Sequence, residues 1–411
     1  MKIRGGKRQM LSKENILVSS KENNEPSWLT DLRTSSFEKM HKLSYPKMQR
    51  FSYQDWPLIA KEDFKWQNQP DFFIKKENHD LLNDKGIILC DLFTAIKQYP
   101  DLVKSALASV IKNDEDKLTA YHYAYLNSGL FLYIPKNTVL AEPITVTLNP
   151  TQDPYISHLL IVTEDNSQVK FLEEIQNEDK AVKSANLMVE IVAHPGSHVE
   201  FSSLDEMDKD TTLYFNRRAR IENDAHVEWA IAFMNDCNTL GDLDSELIGE
   251  GSYADSKAIA VTTGDQRVGI NNRVTNRGPH STGLINQRGV LLENSQLIFN
   301  GIGQIVHGAH GSKADQQNRV LMMSDNAHGD ANPLLLIDEN DVIAAHAASV
   351  GPVDQIQMNY LMSRGIPYDQ AQRLVIRGFL GAVLDAIPNK EVRQKMIDIL
   401  EKKLIDGQTR R

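Results

Sequence analysis

The chain is poor in cysteine. Cys90 and Cys237 are the only thiols among 411 residues, and no Cys-x-x-Cys occurs. A disulfide framework and a self-contained four-thiolate metal or cluster site are therefore excluded. Positive charge is also in deficit: 45 Lys and Arg face 55 Asp and Glu, a formal net charge of −10. A chain so charged repels nucleic acid and anionic membrane as a whole. Its one basic cluster, Lys2, Arg4, Lys7 and Arg8, reads as a solvated tail. No stretch approaches the roughly 18 consecutive apolar residues of a membrane span. No charged n-region leads into an apolar signal core, so the cytoplasm is the expected compartment. Gly-rich pieces such as GIGQIVHG lack the Lys-Ser/Thr of a phosphate loop, and neither Gly-x-Ser-x-Gly nor His-Glu-x-x-His occurs.

What is present falls into three textures. Residues 1–125 read as an N-terminal helical region with an extended connector. SWLTDLRTSSFEKMHKL spaces Trp28, Leu29, Leu32, Phe37 and Met40 mostly at helical intervals. CDLFTAIKQYPDLVKSALASVI repeats that pattern, and DEDKLTAYHYAYLNSG predicts a helix that stops at Gly129. The aromatic, Pro-broken SYPKMQRFSYQDWPLIAKEDFKW between them is the connector. Residues 126–352 predict a β core of short strands such as HLLIVT, LMVEIVA and HVEWAIAF, separated by Asn, Asp and Gly turns. No amphipathic helix of ten residues interrupts it. Residues 353–411 return to helical spacing: VDQIQMNYLMSRGI is stopped by Gly365, and a second segment carries Leu374, Val375 and Phe379 on one stripe.

The β core contains an internal echo. EDNSQVKF, HPGSHVEF and ENDAHVEW place Val169, Val199 and Val227 in the same phrase, at intervals of 30 and 28 residues, and GSYADSKA follows with Ala254 after 27 more. ENSQLIF and the weaker SDNAHGDA repeat it later. A period of this size marks a repeat architecture. One period holds two strands and two corners, which predicts a β-solenoid whose rungs pair with their neighbours rather than a four-stranded propeller blade. The fold class is thus mainly β: a flattened parallel β-helix with long strands, flanked by helical regions whose apolar faces need a partner surface. A β-sandwich is the alternative.

Among candidate chemical groups, DVIAAHAASVG sets His346 among small apolar residues. Such a histidine is either a satisfied core residue or part of a surface kept flat for close approach. His307-x-x-His310 has a metal-pair spacing, but Gly308 and Gly311 argue for a turn, as does the setting of His328. Acids in EEIQNEDK and GDLDSELIGEGSYAD read as solvated edges. A β-helical carbohydrate-active or metal-dependent hydrolase would need two of them about 5–9 Å apart on one face, and it stands as the reading from another functional class.

Three long phrases carry a resemblance. DKLTAYHYAYLNSGLFLYIPKNTVLAEPITV (116–146), VHGAHGSKADQQNRVLMMSDNAHGDANPLLLIDENDVIAAHAASVG (306–351) and NYLMSRGIPYDQAQRLVIRGFL (359–380) resemble the SufB/SufD family of iron–sulfur cluster assembly proteins, and its SufD branch more closely. The resemblance implies a flattened right-handed β-solenoid between helical ends and a scaffold role without catalysis. It implies pairing with a SufB-like chain, or a homodimer in isolation, and docking of a SufC-like ABC ATPase on the C-terminal helices. There Leu374, Val375 and Phe379 are the candidate anchors. It also implies that His346 faces the partner as a candidate iron or cluster ligand. SufB-like chains carry a cysteine in the stretch matching QQNRVLMM, where this chain has Asn318. Without that thiol the chain is expected to hold no cofactor tightly alone, the iron–sulfur cluster forming at the interface. A self-sufficient SufB-like scaffold is the alternative within the family.

Overall fold

The computed structural model describes residues 11–68, 71–74, 86–176, 182–385 and 390–409; the basic N-terminal cluster lies outside them. Two helices, α1 (Lys13–Glu22) and α2 (Ser27–Met40), open the chain. The connector that follows is irregular, yet it buries Phe51, Tyr53, Leu58 and Trp66. Strands β1 (Phe72–Ile74) and β2 (Ile88–Asp91) precede three short helices, α3 (Leu92–Gln98), α4 (Pro100–Ala106) and α5 (Lys117–Tyr125). The single helix that the sequence pattern suggested over 90–111 is broken. Pro100 lacks the N–H needed in a helix interior and opens α4 instead. Asp116 caps α5 by accepting from the Leu118 and Thr119 backbone N–H groups.

Helix α5 does not run to Gly129, as the sequence suggested. It ends at Tyr125, and Gly129 lies in the first solenoid strand, β3 (Ser128–Ile134). A Cβ there would lie 2.5 Å from the His158 carbonyl oxygen, so the glycine answers a close strand approach and not a helix stop.

Fifteen further strands follow in regular alternation, from β4 (Ile144–Leu148), β5 (Tyr155–Thr163), β6 (Gln168–Gln176), β7 (Ser184–Ala193) and β8 (His198–Glu206) onward. The next are β9 (Thr212–Ile221), β10 (His226–Phe233), β11 (Asn238–Leu247), β12 (Tyr253–Thr262) and β13 (Arg267–Asn276). The last are β14 (Thr282–Leu291), β15 (Gln296–Ile305), β16 (Lys313–Met322), β17 (His328–Ile337) and β18 (Ile343–Gly351). From β3 onward, even-numbered strands stack in one sheet and odd-numbered strands in the other, all parallel, which makes a β-solenoid of roughly eight turns. The echo is its register: Val169 pairs with Val199, Val199 with Val227 and Val227 with Ala254. The later copies behave differently. ENSQLIF and SDNAHGDA enter β15 and β17 of the odd sheet, so the same turn chemistry serves the opposite corner.

At the corners entering the even sheet, from β4 to β16, an equivalent position is left-handed in each turn: Asn137, Asn166, Gly196, Asp224, Gly251, His280 and Gly311, with Gly308 a second such residue at the last of them. The residue at each equivalent position donates its backbone N–H to a carbonyl one rung further on, at 2.7–3.0 Å. At Gly196 (φ +68°) glycine adopts this conformation without strain, and a Cβ there would require the Asn166 amide, 2.5 Å away, to move.

Inward side chains of both sheets form a continuous apolar core that includes Phe171, Phe201, Phe215, Trp229 and Phe233. The outer face of the odd sheet is covered by the N-terminal segments through Leu29, Phe51, Tyr53, Phe93 and Ile111. The outer face of the even sheet is covered by α6 (Gln355–Ser363), α7 (Tyr368–Leu384) and α8 (Lys390–Thr409), through Met358, Ile376, Leu380, Met396 and Leu400. Gly365 (φ +85°) ends the turn after α6, as its position in the sequence suggested.

A buried carboxylate secures the N-terminal cover. Glu190 on β7 accepts from the backbone N–H groups of Ala108, Val110 and Ile111, each at 2.7 Å, and lies 3.1 Å from His158 Nε2. Burial alone would raise its pKa, but His158 and the backbone donors outweigh that and hold it below the usual value. Glu190→Ala strands three buried donors and should cost on the order of 3 kcal/mol or more in urea unfolding, with Glu190→Gln losing less. Because the folded pKa is depressed, this contribution is present above the ordinary carboxylate pKa and is lost as pH falls through the folded value.

Candidate functional site

The two ends of the solenoid are finished differently. At the first end, β2 pairs antiparallel with β3 and β1 antiparallel with β4, so short reversed strands close both sheets beneath helices. At the last end β17 and β18 each have a strand on one side only, and no described segment covers the other side. The segment around His346 is therefore a strand, and an edge strand.

Strand polarity can be read from the flanking bonds. The Ile343 N–H donates to Ser312 O, so odd-numbered backbone groups of β18 turn inward to β16. By alternation, Ala344, His346, Ala348 and Val350 turn their N–H and C=O groups to the open edge. Their side chains continue the inward columns. His346 pairs with Gln316, which is in line with Ile285, Ser256 and Trp229, and Ala348 continues Asn318 and Gln287. His346 is nevertheless exposed, because no rung follows to cover it. Its imidazole makes no hydrogen bond to another described residue, and its neighbours Ala345 and Ala347 present only methyl groups. Ile343 (66% exposed), Val350, Leu336 and Ile337 add an apolar fringe to the same end.

The thiols lie elsewhere. Cys237 is fully buried and its thiol is pushed up to about 12 by burial; Cys90, half-buried on β2, is pushed up to about 11 by burial and the neighbouring Asp91. Both stay protonated at neutral pH and are unfit as nucleophiles or metal ligands as they stand. Among the described residues no three His, Cys, Asp or Glu side chains converge as a metal-holding group. His307 and His310 sit at exposed corner positions, and His328 opens β17 near Asp330 at 3.7 Å.

The helical anchors separate from one another. Leu374 is 50% exposed, whereas Val375 and Phe379 pack partly against the core shared by α6–α8 and the even sheet. The Arg288 guanidinium sits over the Phe379 ring at 5.4 Å and donates to the Phe379 carbonyl. The fully inward stripe is Ile376, Leu380 and Leu384. Sequence reading missed a second exposed set: Ile356 (77%), Tyr360 and Met362 on α6, with Tyr368 opening α7. Their signal was present, since Ile356 and Tyr360 are four apart on one helix face.

Acidic side chains meet in several places; on the outer face of the even sheet Glu200, Glu228 and Asp255 are partly exposed register partners, matched to Lys170, His198 and Lys257. Asp242 and Asp244 on β11 lie beneath the N-terminal cover, where burial pushes them up to about 6 and about 7; Arg218 lies 3.2 Å from Asp244. Glu173 and Asp205 point into the solenoid and share the Arg217 guanidinium at 3.0 and 2.9 Å. A cleft of about 700 Å³ lies between α8 and the corners near Asp208, Asp236 and Gly264, and Lys395 and Lys403 bind α8 across its margins to Glu206 and Asp236. No described helix is long and apolar enough to cross a membrane.

Comparison with known proteins places these features in context. Residues 146–379 match the SufBD core domain of the SUF system for FeS cluster assembly, and residues 67–146 match the SufBD protein N-terminal region. The chain is 36% identical to the iron–sulfur cluster assembly protein SufD of Bacillus subtilis, over 97% of this chain and 99% of that one. A chloroplastic SufBD family protein of Arabidopsis thaliana is 24% identical over 95% of this chain and 80% of its own length. A SufBD family protein of Pyrococcus horikoshii is 27% identical over 74% of this chain and 68% of its own.

The Glu173–Arg217–Asp205 cluster has a measurable consequence. Burial, partly offset by Arg217, pushes Glu173 up to about 7 from 4.5. The folded state therefore holds a proton that the unfolded state releases, and stability falls as pH rises from about 4.5 through 7. Glu173→Gln should remove that loss: its melting temperature, relative to the unsubstituted protein, rises between pH 5 and pH 8. A constant difference across that range contradicts the assignment.

Proposed function

Because the chain belongs to the SufBD family of iron–sulfur cluster assembly proteins and is of the SufD type, we propose that it is a non-catalytic scaffold subunit. In this reading it pairs through the open end of its solenoid with a SufB-type chain in the cytoplasm. It also docks a SufC-type ATPase on α6 and α7, in support of cluster formation and iron acquisition. The observation that carries this reading is the one-sided finish of the solenoid. A parallel edge of nine residues with no charge and no proline, such as Ile343–Gly351, invites uncontrolled strand pairing unless a partner covers it. The methyl-flanked His346 lies in the middle of that edge, where a second backbone can approach closely.

The nascent cluster is cargo of the assembled pair. A neutral imidazole suits iron, but sulfur acceptance needs a thiolate, and the two thiols here are protonated and distant from the open end. The thiolates are therefore assigned to the partner, which argues against the self-sufficient scaffold. A hydrolase reading gains nothing from acid pairs that are covered or neutralised. For the ATPase, Ile356, Tyr360 and Leu374 are the exposed anchors, used in the helix-in-groove manner. Val375 and Phe379 hold α7 to the solenoid and shape the dock from behind.

Co-expression with SufB- and SufC-type partners, followed by size determination and iron and sulfide analysis, tests the whole proposal. A stable complex containing all three chains is expected, whereas the chain purified alone and reconstituted anaerobically gains no stoichiometric cluster chromophore. His346→Ala should lower bound iron in the complex without changing its size. Tyr360→Glu or Leu374→Glu should weaken ATPase co-purification by about 2 kcal/mol or more, the usual size of a lost anchor, while SufB-type pairing persists. Unchanged ATPase binding in both variants removes these helices from the dock.

A further inference from the structure

The open end carries a second recognition element, on the outer face of the odd sheet. Asp242, Asn271, Asn300 and Asn332 are register partners on β11, β13, β15 and β17. Their side chains form a one-way ladder. Asn332 Nδ2 donates to Asn300 Oδ1 at 3.0 Å, Asn300 Nδ2 to Asn271 Oδ1 at 2.9 Å, and Asn271 Nδ2 to Asp242 Oδ1 at 2.7 Å. Every donor points toward the Asp242 carboxylate and every acceptor toward the open end. The last acceptor, Asn332 Oδ1, has no donor among the described residues. Chains of amide bonds polarise one another, so a terminal acceptor backed by three aligned bonds is a strong one.

The backbone beside it has the same bias. His328 and Asp338 donate their N–H groups to Ser295 and Ile305 of the preceding turn, so even-numbered groups of β17 face β15 and odd-numbered groups face the open edge. Pro333 falls on the open side and supplies a carbonyl but no N–H. The centre of β17 therefore offers two adjacent acceptors, Asn332 Oδ1 and Pro333 O, and the backbone donor that a strand ladder needs at position 333 is missing. A continuous strand ladder cannot cross here, in contrast to β18, whose outward groups are complete.

We infer that the β17 side of the seam is read by side chains and not by strand addition: the partner rung meets Asn332 with a nitrogen donor, an amide or a guanidinium. This rests on the proposed pairing of the open end and deepens it by naming the chemistry of the partner surface. Asp330, on the same outer face two residues away, favours a donor that is also cationic. The role of β17 is then to fix the register that β18 pairing alone leaves free along its alanines.

The test is affinity between this chain and the SufB-type chain, measured with Asn332→Ala and Asn332→Asp at two salt concentrations. Thermal melting of each variant alone reports that the edge position leaves the fold intact. Asn332→Ala loses the acceptor and should bind at least about tenfold more weakly. Asn332→Asp keeps an acceptor but gives up the bond to Asn300 Oδ1, and should bind more tightly than Asn332→Ala, with a steep salt dependence if the partner group is a guanidinium and a shallow one if it is an amide. Equal binding by Asn332→Ala, or equal loss in both variants, overturns the inference while leaving the pairing standing. An unsubstituted chain that captures no SufB-type chain overturns the pairing and the inference together.

Discussion

The fold depends on one repeated hydrogen bond. At the even-sheet corners from Asn137 to Gly311, the residue at one equivalent position turns left-handed and sends its N–H to the rung beyond. Left-handed backbone is accessible to Gly and tolerated by Asn and Asp, which explains the corner composition. His280 is the departure, and its ring lies 5.1 Å from that of His310, one rung on. Because each corner bonds to the next, rungs cannot drift in length. Turns of 27 to 31 residues keep inward positions in column, so a core residue in one rung predicts the core position in the next.

That mechanism propagates and does not terminate. A rung satisfied by the rung beyond it leaves the final one unsatisfied, so a solenoid always needs a separate solution at each end. Here the N-terminal segment supplies one, through the reversed strands β1 and β2 and the carboxylate of Glu190. The C-terminal helices pass over the even sheet and leave the last rung bare. Their burial of Leu172, Leu204, Ile259 and Val290 stabilises the flank of the coil, not its end. No described segment covers that end, and it is this opening that the proposed pairing uses.

Periodicity made much of this legible in the sequence. The Val169–Val199–Val227–Ala254 phrase gave the register of four rungs, and Gly365 was placed by its neighbours alone, whereas the alanines around His346 left it open between a core and a surface position. Other features were hidden for identifiable reasons. Gly129 looks like a helix stop because a glycine required by close packing and one required by positive φ are the same letter. ENSQLIF repeats the corner phrase because both corners solve the same turn problem, and only pairing reveals which sheet follows. Val375 and Phe379 share a helical stripe with Leu374, but a stripe does not say which surface it faces. That was decided by Arg288 and the even sheet. The inward Arg217 was readable in principle, since strict alternation puts it in line with Phe215 and Ala219, but a charged letter biases a reader toward solvent.

The columns also show why the open end differs in character from the closed one. Along the His346 column the inward residues run Phe171, Phe201, Trp229, Ser256, Ile285, Gln316 and His346. The first three bury large rings in stacked or edge contact, at centroid distances of 5.8 and 5.1 Å. In the opposite wall the Phe215 column still has a ring at Phe299 on β15 before ending at Ala331, while the two columns beside it reach Gly301 and Gly303, and a Cβ at Gly301 would collide with the Gln316 and Asn318 amides. Apolar area buried per rung, the main source of stabilisation, therefore declines toward the seam, while amides and small residues increase. A thin, polar last turn costs intrinsic stability, and in the proposed pairing association contributes what the core does not. The same thinning keeps the backbone of β18 accessible between methyl groups, so the weakness of the last rung and its fitness as an interface have one physical origin.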